Sequence, residues 1–225
     1  MTTIELILWI ISAILLSAFW YGYATRYDAH KRKTPWAITD LLARRRLLAV
    51  PAASILTLSV FVGLWSSAEV AATFIARILV FTSALFAIAA LDYKYHVVPN
   101  RALIILLVMR VAIVPFEIAS GVELFFDDLK RELITVAILA AFFLLMRVLQ
   151  RGGLGMGDVK LLALMPLYYG PTTAIAAIVA SFLAIFVISA ALLAMKRKKM
   201  GDGLPLAPSV LAGSVAVILL LSLGG

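Results

Sequence analysis

Cysteine is absent from this 225-residue chain, which excludes structural disulfides, thiolate zinc sites and a cysteine nucleophile. Charge is scarce: Asp, Glu, Lys and Arg make up 14% of the residues, against roughly 25% in a soluble domain. Histidine occurs twice, as His30 and His96, and both sit in polar connections where solvated side chains are commoner than ligands. Internal duplication, low-complexity tracts and a linker between domains are also missing, so residues 1–225 read as one unit. What the chain has in abundance is apolar side chains, 64% of the total. Lipid, rather than water, is the solvent such a composition suits.

Apolar runs punctuated by charge predict spans near 4–25, 47–66, 70–91, 101–119, 132–149, 159–169, 172–195 and 206–223. The fold class expected is an all-α integral membrane bundle of about eight transmembrane helices. The sixth run is short and interrupted by Pro166, Gly170 and Pro171, so a kinked or re-entrant segment stays open there. The first run, Ile4 to Tyr23, has no basic residue before it and no small-residue cleavage pattern behind it, and reads as an uncleaved span rather than a signal peptide.

The net charge of +8 is distributed as the positive-inside rule distributes it, not as a nucleic-acid surface. Arg26, Lys31 to Lys33 and Arg44 to Arg46 crowd the first connection, Lys94 and Arg101 the third, Arg147, Arg151 and Lys160 the fifth, Lys196 to Lys199 the seventh. The second carries Glu69 alone, and the fourth carries Glu117, Glu123, Asp127 and Asp128 with Lys130 and Arg131. Both termini are therefore expected outside and the odd connections in the cytoplasm. Arg77 and Arg110 fall within spans, where snorkelling or an internal ion pair would accommodate them.

A carboxylate near membrane depth is a functional candidate, and of Glu5, Glu69, Asp92, Glu117, Asp158 and Asp202 two stand out. Asp92 ends the third span ahead of Tyr93, Lys94 and His96; Asp158 opens the sixth after Gly155, Met156 and Gly157. Two crossings lie between them, so the chain returns to the same face. Two aspartates brought close cannot both ionise cheaply and share a proton near neutral pH, an arrangement suited to peptide hydrolysis. Gly155 and Gly157 are read as freeing the backbone for unusual dihedrals and for close approach of a substrate strand. Read singly, Asp92 is equally an interfacial charge and Asp158 a helix-start acid favoured by the macrodipole.

In this order the motifs resemble the type IV prepilin peptidases and their archaeal preflagellin relatives, membrane aspartyl proteases of the GxGD class. The matching elements are Asp92 followed by Val98-Pro99-Asn100, then Gly155-Met156-Gly157-Asp158-Val159-Lys160-Leu161-Leu162-Ala163, then Pro205-Leu206-Ala207-Pro208, together covering about residues 85–220. The resemblance implies Asp92 and Asp158 as catalytic residues, no metal or organic cofactor, and a multi-pass protein of the cytoplasmic membrane with its site at the inner face. Its substrates would be prepilin-like or archaellin-like precursors carrying a short basic leader before an apolar helix. The partners expected are those precursors and the bilayer, not nucleic acid. Lys160 supports the pair or meets lipid headgroups, Asn100 caps the fourth span, and Pro99 sets its entry.

Many bacterial members of that family carry a cytoplasmic insertion with paired CxxC motifs and an N-methyltransferase activity. Here the corresponding connection, about 26–46, is cysteine-free, and a cleave-only enzyme is expected. Two other readings remain: a presenilin or signal-peptide-peptidase type of protease, whose first aspartate lies deeper in a span, and an ion-coupled transporter using the two aspartates as a relay.

Overall fold

The computed structural model describes residues 3–33, 45–65, 71–150, 153–196 and 203–224. Arg44, Glu69, Arg151, Asp202 and the basic residues at 197–199, which entered the sequence reading, lie outside the described residues. Eight helices are present among them: α1 Thr3–Arg32, α2 Arg45–Trp65, α3 Ala72–Tyr95, α4 Asn100–Ser120, α5 Val122–Leu149, α6 Met156–Tyr169, α7 Pro171–Ala194 and α8 Ala207–Gly224. The fold is an all-α membrane bundle. Within α1, α3, α4, α5 and α7 lie stretches long and apolar enough to cross a bilayer; α2 and α8 supply shorter apolar stretches.

Helix α3 is the hub, packing against α1, α2, α4, α6 and α8. Of its most apolar stretch 67% is buried inside the protein, against 11–22% for the other four long spans. Those outer helices instead expose Ile134, Ile138 and Leu145 on α5, and Val179, Leu183 and Phe186 on α7. Apolar side chains in that number belong against lipid tails.

Several boundaries differ from the sequence reading: α1 runs on to Arg32 rather than ending near 25, and α3 to Tyr95 rather than 91. The fifth helix begins at Val122 rather than near 132, and Gly121 alone separates it from α4. An apolar-run rule stops at Asp127, Asp128, Lys130 and Arg131, whereas a helix continues through charge that water can solvate. Acid in its opening turns also suits the positive end of the helix dipole.

Helix α6 is short, as expected, and begins at Met156 rather than 159; its 14 residues rise about 21 Å, short of a hydrocarbon core of about 30 Å. Its carboxyl end stops inside the protein. Pro171 has no N–H to give the Leu167 carbonyl four residues earlier, and Gly170, at φ 75°, turns the chain into α7. The orphaned carbonyl accepts Arg110 Nε at 2.6 Å and Arg77 Nη2 at 2.7 Å. Both guanidiniums are neutralised in place. Arg110 meets Glu117 at 2.7 Å and Glu132 at 3.1 Å; Arg77 meets Glu117 at 3.3 Å and also pairs with Glu132. None of the four side chains is more than 11% exposed. Arg77 and Arg110 are thus the core of an internal ion cluster that ties α3, α4, α5 and the end of α6 together.

Candidate active site

Helix α3 ends one turn beyond Asp92. His96 caps it in the left-handed region, φ 51° and ψ 42°, its N–H returning to the Asp92 carbonyl at 2.8 Å. The chain then runs through buried Val98 and Pro99 into α4. Asp92 itself is 4% exposed. Its carboxylate oxygen Oδ2 accepts the Ala207 N–H at 2.9 Å, and the Leu206 N–H also bonds to it. These are amides at the start of α8, which have no partner within their own helix. The Pro205-Leu206-Ala207-Pro208 element thereby gains a physical reason, since its two central residues present donors to Asp92.

Asp158 occupies the third position of α6, and its carboxylate bonds back to the N–H of Gly155, the residue capping the helix. This is the carboxylate half of a capping box. A Cβ on Gly155 would lie 2.7 Å from Asp158 Oδ2, and one on Gly157 would lie 2.8 Å from Val98 Cβ and 3.0 Å from the Val98 carbonyl oxygen. The need for glycine is one of space. Gly155 has φ −64° and ψ 143°, which any residue adopts, so the expectation of unusual dihedrals is corrected: the close approaches are to Asp158 and Val98, both within the chain.

The contact of Gly157 with Val98 seats the start of α6 on the segment leaving α3, which brings the two aspartate-bearing turns together. Lys160 Nζ, on the opening turn of α6, donates to Asn100 Oδ1 at 3.1 Å. Asn100 is the first residue of α4 and makes no cap; Pro99 holds the cap position without a side-chain hydrogen bond, so that expectation is corrected as well. The Asn100 side chain is engaged by Lys160 instead.

Asp158 lies ahead of the apolar run of α6 and outside the long spans. Burial, joined by the neighbouring charge of Asp92, pushes its pKa from 3.8 to about 6, while the Gly155 amide pulls the other way. The charge of Asp92 is thus felt at Asp158.

One residue beside the pair escaped the sequence reading. Asp28 of α1, 1% exposed, accepts Lys94 Nζ and Tyr95 Oη and lies 3.2 Å from Arg32 Nε. It pins α1 to the last turn of α3, two residues from Asp92. The available signal was an acid set in a basic segment with Arg32 four residues on, a spacing that faces the two together.

The model of the type IV leader peptidase family matches residues 79–190, which include Asp92, Val98 to Asn100 and Gly155 to Lys160. The chain is 30% identical over 141 residues to the "Prepilin leader peptidase/N-methyltransferase" of Bacillus subtilis (strain 168), an alignment covering 63% of this chain and 54% of that protein. The chain thus spans about half the length of that relative. No solved structure matches.

Proposed function

This chain belongs to the type IV leader peptidase family, and we propose that it is a membrane-embedded aspartyl endopeptidase that removes the short basic leader of prepilin-like or archaellin-like precursors at the cytoplasmic membrane face. The observation that carries this reading is the pair itself: two carboxylates from distant helices, each held by backbone amides, with the charge of one felt by the other.

Asp158 carries the shared proton and Asp92 is the base. Asp92 takes a proton from water as the water oxygen adds to the scissile carbonyl carbon, and Asp158 donates to the carbonyl oxygen. Collapse of the tetrahedral species breaks the C–N bond, the amine leaving with the proton that Asp92 had taken. Gly155, Gly157, Pro99, Asn100 and Lys160 act by position, through the contacts described above. The geometry suits a bond at the boundary where a basic leader meets an apolar helix, since the leader's charge keeps that bond on the inner side. The relative's second printed activity is not carried over: with no cysteine, this chain has no paired CxxC motifs, and it cleaves without methylating.

The test is cleavage of prepilin-like leader peptides by the detergent-solubilised protein, its Asp92→Ala, Asp158→Ala and Asp158→Asn variants run beside it and products read by mass spectrometry. Cutting at the leader boundary by the unaltered chain, lost at least about 100-fold in all three variants, is the expected result. Variants that still cut would remove the aspartates from the mechanism, and methyl transfer to the product would overturn the cleave-only reading.

A further inference from the structure

Five residues of α1, Tyr23, Arg26, Tyr27, His30 and Lys31, recur at helical spacings of three and four and so share one face. That face and the segment 97–101 enclose an open pocket of about 780 Å³, within the roughly 300–1,000 Å³ of ligand-sized sites. Among the described residues, Arg26, His30, Lys31 and Arg101 line it and no carboxylate does. Among the described residues none of these four is ion-paired; Asp28, the nearest acid along α1, is taken up by Lys94, Tyr95 and Arg32.

One further feature points the same way. The start of α4, at Pro99 to Arg101, opens on the pocket with no side-chain cap, leaving the positive end of a helix dipole toward it.

We propose that this pocket binds the phosphate group of an anionic phospholipid headgroup. The site takes its charge complement from three permanent cations, and Tyr23 and Tyr27 place it at the depth where aromatic side chains meet headgroups. On the reading given above, the same cations repel a basic leader, so the pocket lies off the substrate's path. Its wall includes Val98, the seat of Gly157, and a headgroup there packs against the segment that joins the two aspartate turns.

Native mass spectrometry of the full chain with equal phosphatidylglycerol and phosphatidylcholine tests this without reference to cleavage, so its failure and that of the peptidase reading are separable. The expected result is preferential retention of phosphatidylglycerol, falling about fivefold per cation removed through Arg26→Gln, Lys31→Gln and Arg101→Gln, and unchanged by Lys130→Gln with Arg131→Gln. Arg26, Lys31 and Arg101 are exposed, so folding is not at stake. Inorganic phosphate at millimolar concentration is the second arm. Stabilisation of the unaltered chain but not of the triple variant by phosphate alone would keep the anion site and overturn the lipid as its source. Equal retention of both lipids, or a preference that survives the triple substitution, would overturn the proposal.

Discussion

A single methyl group at position 157 would collide with Val98 at 2.8 Å, and one at 155 would collide with the Asp158 carboxylate at 2.7 Å. Gly157→Ala is therefore expected to lower kcat for leader cleavage by about 100-fold, the scale set by misplacing a reacting group by about 1 Å, with part of the loss restored by Val98→Ala. A pH experiment reads Asp158 directly. Its pKa is raised from 3.8 to about 6, so between those values the folded chain holds a proton that the unfolded chain has released. Stability is fullest below the window and is lost as pH rises through it. The ceiling is about 3 kcal/mol, reduced to about 1–2 kcal/mol by partial solvation. Asp158→Asn, which cannot titrate, is expected to flatten thermal stability across that window and to exceed the unaltered chain above it. At this scale the sequence singled out Asp92 and Asp158 as candidates, because a carboxylate among apolar residues advertises itself. It misjudged Asn100 and the two glycines, because their partners, Lys160, Val98 and Asp158, are settled by packing rather than by neighbours in the chain.

Among the helices, α6 is the one whose length needs explaining, and the explanation lies in the ion cluster at its end. Glu132→Gln leaves Arg77 and Arg110 with too little negative charge in a buried site, an imbalance of the kind that costs about 3–5 kcal/mol. A fall in the thermal midpoint well beyond any caused by Lys130→Gln, on the same helix but without a place in the cluster, is the expected outcome. Equal small shifts would show the cluster to be unimportant. Since α3 carries Arg77 near one end and Asp92 near the other, and α6 carries Asp158 and Leu167 likewise, cleavage should fall in Glu132→Gln even at temperatures where it stays folded. The sequence placed Arg77 and Arg110 in spans and allowed an internal pair. Glu132 went unnoticed because it sits where an apolar-run rule places the edge of a span, which is also why the start of α5 was set ten residues late.

On the scale of the whole molecule, eight apolar runs were legible as eight helices because lipid leaves the backbone no alternative to internal hydrogen bonding. Their arrangement was not legible, since a helix apolar all round does not say which neighbour it faces; the central place of α3 emerges only from packing. The cysteine-free sequence makes sidedness simple to measure. Tyr93→Cys, exposed beside the aspartate pair, is expected to react with an impermeant thiol reagent only after the cytoplasmic face is opened, and Asp127→Cys only from outside. The reverse pattern would overturn the topology.

The hydrogen bond from Ala207 to Asp92 joins positions 115 residues apart. During biosynthesis, α3 is therefore in the bilayer long before the amides that fix its aspartate have been translated. The amide bond to Asp92 forms only when α8 is laid in place, so a chain lacking α8 at the translocon holds both acids without the arrangement proposed for the pair. On the proposed mechanism, such a chain stays inert toward nascent membrane segments around it until α8 has been made.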